Sequence, residues 1–184
     1  MSSLTTKKAI AYTFKDLLKE KPFNKITIND IANKCNINRQ TFYYHFQDIK
    51  DLVEWICIEE VDNLLERKNE YEKWEDKFLL IFQIMKEEEI FVKNIYHSVS
   101  QEVLRDNLYR LVYPIIYNEI IEKSKGKKLR EEDKKFITDF YKFAFVSIVL
   151  DWIKKGMTEN PETIVSKVSN LITGTINHAL SSVK

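Results

Sequence analysis

The sequence predicts an all-α protein, and three observations predict it. The 184 residues include only three Gly and three Pro, too few for a chain of many short elements. Apolar residues recur at spacings of three and four through most of the length. No stretch alternates apolar and polar residues long enough to make a useful strand.

The first helix is expected from about Lys7 to Lys19, capped by Thr5 or Thr6, with Ile10, Phe14, Leu17 and Leu18 on one face. Pro22 stops it. Thr27, with Asp30 three residues on, reads as a helix start close to a capping box, opening a short helix from Ile28 to about Cys35. Asn36 stands where the chain must turn, and Asn tolerates the left-handed backbone region better than most residues. Ile37 is the one apolar residue of that turn and is expected between the helices. Asn38 then caps a second short helix whose first turn is Arg39, Gln40 and Thr41. Phe42 and Phe46, four apart, share its inward face.

Asp48 caps a long connecting helix to about Lys68, with Ile49, Leu52, Val53, Ile56, Val61, Leu64 and Leu65 as its apolar stripe. Further helices are expected at Trp74 to Lys86, Ile90 to Tyr96 and Gln101 to Lys123, with Pro114 bending or dividing the last. Ser124 to Lys128 is a polar loop. Glu131 to Lys155 follows, stopped by Gly156, and Asn160 with Pro161 opens a final helix to about Ala179.

Charge is unevenly placed. Residues 1–50 hold nine basic and four acidic groups, a surplus of five, while the whole chain is +1, so residues 51–184 are net −4. A basic head suits an anionic polymer bound at one end. Arg39, Gln40, Tyr43 and Tyr44 cannot all face inward with Phe42 and Phe46, and together with Thr41 and His45 they are read as DNA contacts. Outward, Arg39 can donate bidentately to guanine and Gln40 can pair with adenine. Thr27, at a helix N-terminus, has donors suited to a phosphate. Two short helices of this size are how a protein enters the DNA major groove. The remaining basic run, Lys125 to Arg130, reads as a solvated loop.

Ile26-Thr27, Asp30-Ile31-Ala32, Ile37 and the run Thr41-Phe42-Tyr43-Tyr44-His45-Phe46 resemble the DNA-binding domain of the TetR family of transcriptional regulators. The match is specific over residues 7 to 55 and architectural beyond. Two positions depart from the family pattern: Asn36 replaces a common Gly, and Ile49 stands where a Lys is frequent, with Lys50 next. The resemblance implies a helix-turn-helix over 27–46 within a DNA-binding domain at 1–47, and a helical regulatory and dimerisation domain at 48–184. It assigns Tyr43, Tyr44 and His45 to phosphates, with Lys50 as the neighbouring contact. It implies an effector pocket in the C-terminal body; among that body's aromatics Trp55, Tyr96, Tyr113, Tyr117 and Phe140 are candidate lining, with an ordinary packed core as the other reading. It implies a homodimer through the last two helices, with Phe143, Ser147, Ile148, Val168, Leu171 and Ile172 at the interface. Repression under control of a small-molecule effector is the expectation. Lys21 to Thr27 and the Trp152 to Gly156 ending also resemble the branch that regulates dihydroxyacetone kinase operons, where a partner protein can replace the small molecule and activation can replace repression. The other reading is a helical interaction module whose DNA head has no use.

Enzyme classes have no support: no nucleophile motif, phosphate loop or dinucleotide fingerprint is present. His45 and His97 lack neighbours at metal-ligand spacing, so neither a metal nor a cofactor is expected. Cys35 and Cys57 make no disulfide framework. No apolar run approaches the ~20 residues that span a bilayer, and residues 1–20 lack a signal-peptide pattern. A cytoplasmic location is expected.

Overall fold

The computed structural model describes residues 3–67, 71 and 73–182, and among these it contains only helices and connecting turns. In order they are α1 (Ser3–Glu20), a 3-10 turn (Phe23–Lys25), α2 (Ile28–Lys34), α3 (Arg39–His45), α4 (Ile49–Arg67), α5 (Trp74–Glu87), α6 (Glu89–Ser98), α7 (Gln101–Lys123), α8 (Glu131–Lys154) and α9 (Pro161–Ser182). Lys68, the expected end of the connecting helix, lies outside the described residues. None of the described helices is long and apolar enough to cross a membrane.

Two expectations shift. α1 begins a turn early, at Ser3, because no Gly or Pro precedes Lys7 to stop it, and Thr5 and Thr6 are helical rather than capping. Pro114 does not divide α7, which runs on through it. Leu111, Val112, Ile115 and Ile116 are all buried around that proline, and their packing offsets the missing backbone hydrogen bond.

The chain forms two compact units. The first comprises residues 1–60 and 88–104, and the second residues 61–87 and 105–184. The first unit as packed is therefore larger than the 1–47 segment expected to bind DNA. In it α1 packs against α2, α3 and α6. Ile10, Phe14, Leu17, Ile31, Phe42, Phe46, Leu52 and Ile56 are joined in its core by Phe91 and Ile95 of α6. In the second unit α5 packs against α9. Phe78 stacks on Phe145 with centroids 3.7 Å apart, and Phe82 meets the edge of Trp152 at 4.9 Å. The buried Trp152 donates its indole N–H to the Glu159 carbonyl at 2.9 Å, so the ring's one polar atom is satisfied.

α8 ends as its sequence requires. Gly156 takes φ +84°, the Gly156 N–H bonds the Ile153 carbonyl, and the Met157 N–H reaches back to Trp152, which is a complete Schellman stop.

Candidate nucleic-acid interface

The recognition segment is built from local bonds. Thr27 and Asp30 form a full capping box: the Asp30 N–H donates to the Thr27 hydroxyl at 3.2 Å, and the Thr27 N–H donates to the Asp30 carboxylate at 2.7 Å. Lys21 lies 2.7 Å from the same carboxylate. Chiefly through Lys21, and also through the Thr27 hydroxyl and N–H, Asp30 is held down to about 2. It therefore stays ionised well below the pH at which an ordinary Asp protonates.

α2 stops in the same way as α8, with Asn36 in place of Gly. Asn36 has φ +54°, its N–H bonds the Asn33 carbonyl, and the Ile37 N–H bonds the Ala32 carbonyl at 2.9 Å. Ile37, half-buried, packs against the first unit's core, as this motif's following residue commonly does. This single turn sets α3 across α2. Cys35 beside it is also half-buried on that core.

Asn38 starts α3 by accepting from both the Thr41 N–H (2.7 Å) and the Thr41 hydroxyl (2.9 Å). A helix of seven residues cannot hold itself. Asn38→Ala is therefore expected to cost about 1 kcal/mol. Thermal unfolding followed by circular dichroism should show a lower midpoint; an unchanged midpoint would mean that the cap contributes nothing.

Phe42 and Phe46 are buried, and they orient everything else on α3. Arg39, Gln40, Tyr43 and Tyr44 are exposed, Tyr43 by 48% and Tyr44 by 81%. Arg39 bonds the Tyr43 hydroxyl at 3.2 Å and lies against its ring, and Tyr44 meets the edge of His45 at 5.0 Å. Thr41 and His45 are half-buried at the margins. Thr27 is exposed at the start of α2. Ile49, where the family pattern has Lys, packs against the core, and Lys50 beside it is exposed.

The positive charge is more local than the sequence total implies. Lys34 pairs with Asp16 and Glu20, Lys21 with Asp30, and Lys15 with Glu60 and Glu88. Among the described residues Lys25 and Lys50 have no carboxylate within ion-pair range. Lys25, exposed two residues before Thr27, was missed by the motif reading. Its only signal in the sequence is its closeness to that helix start.

The other candidate residues are dispersed. Trp55 and Tyr96 belong to the first unit and pack against its core, Trp55 against Phe46 at 5.7 Å. Tyr113 and Tyr117 stack at 5.7 Å in the second unit, and Tyr117 donates to Glu131 at 3.0 Å. That carboxylate pushes the Tyr117 phenol above its ordinary value. Phe140 is 62% exposed and so points away from the unit's interior. Of the residues expected at a dimer face, Phe143, Ser147 and Leu171 are exposed, Leu171 by 68%, and Ile148 is half-buried. Val168 and Ile172 are different. At 7% and 6% exposure they pack into the unit's own core, because α9 turns that stripe toward the interior. An open groove of about 340 Å³ runs along α8 and α9, lined by Ile148, Trp152, Ile164, Val168 and Leu171 among others.

The comparisons agree with this geometry. Residues 15–56 match the family described as "Bacterial regulatory proteins, tetR family", and residues 72–174 match "Transcriptional regulator C-terminal region" of the same group. The HTH-type dhaKLM operon transcriptional activator DhaS of Lactococcus lactis subsp. lactis (strain IL1403) is 27% identical over 172 residues, covering 92% of this chain and 90% of its own. A solved structure of the dihydroxyacetone kinase operon activator DhaS superposes with a TM-score of 0.76 over 94% of this chain and 97% of that one, at 27% identity. A TetR transcriptional regulator from Streptococcus agalactiae 2603V shares the fold at a TM-score of 0.57 and 21% identity, over 99% and 95% of the two chains.

Proposed function

Because the chain belongs to the TetR family of bacterial transcriptional regulators, we propose that it acts as a homodimer whose paired α3 helices read a two-fold symmetric operator and activate the operon beside it. It is a DNA-binding regulator and not an enzyme. The observation that carries the reading is the outward face of α3, where Arg39, Gln40, Tyr43 and Tyr44 stand exposed on a buried Phe42–Phe46 frame. Exposed tyrosines side by side on a short helix need a partner surface.

Residues 1–47 serve as the DNA-binding segment and 48–184 as the regulatory and dimerisation segment. Arg39 and Gln40 take base edges, with Thr41 beside them. Thr27, Tyr43, Tyr44, His45 and Lys50 take phosphates. Phe143, Ser147, Ile148 and Leu171 face the second copy, and two such copies match half-sites about one helical turn (~34 Å) apart. Activation is preferred to repression because the Lactococcus relative, aligned over nearly its whole length, is named a transcriptional activator. The second unit receives the controlling signal, a small molecule or a partner protein, with the Tyr113–Tyr117 pair as its aromatic candidate. The signal shifts the population between two states of different operator affinity. Reading operator DNA is cytoplasmic work, and we assign the protein there.

The base and phosphate roles separate experimentally. Gln40→Ala should cost about 1–3 kcal/mol on an operator selected from random DNA and much less on random duplex. Tyr43→Phe and Lys50→Ala should weaken both alike, because phosphates carry no sequence information. Equal losses for Gln40→Ala on the two duplexes, in an anisotropy titration, would move Gln40 to the backbone.

A further inference from the structure

Lys7, on α1, places its ammonium beside the C-terminal end of the recognition helix. The nitrogen lies 5.2 Å from the centre of the Phe46 ring and 5.5 Å from that of Trp55. Phe46 is the residue that closes α3, Trp55 lies on α4, and their rings pack 5.7 Å apart. All three residues belong to the first unit. From Phe46 a series of rings runs back along α3, to His45 at 6.5 Å and from there to Tyr44 at 5.0 Å. Lys7 thus adds a cation at the end of α3 that carries two of the residues given to phosphates above.

Its charge is held differently from that of other lysines in this unit. Lys15, Lys21 and Lys34 each pair with a carboxylate. Among the described residues Lys7 has none within ion-pair range. Its side chain is nevertheless half-buried. Two ring faces attract the cation and hold its stem in place. They leave the three N–H donors of the ammonium without an oxygen acceptor from the chain. A partly covered cation has lost water without gaining a counter-ion, and an anion brought to it recovers that loss. Duplex DNA offers such an anion about every 1.7 Å along its axis. Because the rings already order the side chain, less freedom is lost when it binds.

We infer that Lys7 is a phosphate-binding residue: its ammonium donates to a backbone phosphate of the duplex on which α3 sits, while Phe46 and Trp55 hold it in position. The inference rests on the DNA-reading function proposed above and needs neither the dimer nor the effector.

The test is a salt titration of the full chain on a selected operator and on random duplex, between about 50 and 200 mM salt, read by anisotropy. Lys7→Met keeps an apolar stem on the two rings and removes the charge. It should bind both duplexes about fivefold to tenfold more weakly at ~0.1 M salt, and the slope of log affinity against log salt should fall by about one. Lys7→Arg should keep the parental slope. Lys93→Met removes one charge from α6, where Lys93 pairs with Glu89, and should also leave the slope unchanged. Lys7→Gln serves if Lys7→Met fails to fold. A contact that only stabilises the unit would weaken binding without moving the slope. That result, a loss confined to the operator, no loss at all, an equal slope change in Lys93→Met, or unfolding of both Lys7 variants would overturn the inference. A parent whose affinity for duplex does not fall with salt would instead overturn the DNA-reading function, and the role of Lys7 with it.

Discussion

Phe42→Ala should abolish operator binding by loosening the whole first unit rather than by removing a DNA contact. The ring is fully buried and lies 5.9 Å from Phe46, and with it carries α3 on the core. Truncation of a buried Phe costs about 3–5 kcal/mol. A small domain has about 5–15 kcal/mol in all. Circular dichroism should show a large drop in the unfolding midpoint, and amide exchange in α2 and α3 should accelerate. A variant with parental stability that still fails to bind would mean that Phe42 touches DNA, contrary to its burial.

The second large effect concerns assembly. Ile148→Glu with Leu171→Glu should turn the proposed dimer into monomer, because each glutamate would carry an unpaired charge into an apolar contact at a cost of several kcal/mol. Leu171 is exposed and Ile148 half-exposed, so the single chain should tolerate both changes. Sedimentation velocity should show one monomeric species with a parental helical spectrum, and operator affinity should fall to that of a half-site. A persistent dimer would put the interface elsewhere on the surface.

The recognition segment was legible because its determinants are local. The Thr27–Asp30 box, the left-handed Asn36, the Asn38 cap and the Phe42–Phe46 spacing each act within a few residues, and the structure contains all four. Burial on the long helices was less legible. Val168 and Ile172 belong to the same apolar stripe as Leu171, and only the packing of α9 decides that two turn inward and one outward. Pro114 misled for a related reason: local chemistry argues for a break, and tertiary burial on both sides overrides it. The charge of the N-terminal segment was overestimated as a DNA signal, since Lys15 is neutralised by Glu60 and Glu88, which lie far along the chain. No local pattern marks those partners.

We propose that the exposed face of α3 reads a specific sequence. Selection from a pool of random duplexes with the full chain, repeated with Arg39→Ala and Gln40→Ala, decides the matter. The parent should enrich an inverted repeat with half-sites about one turn apart (~34 Å), and each variant should lose the preference at its own base pairs while keeping the rest. A pool that stays random with the parent, or one enriched identically by the parent and both variants, would contradict this reading.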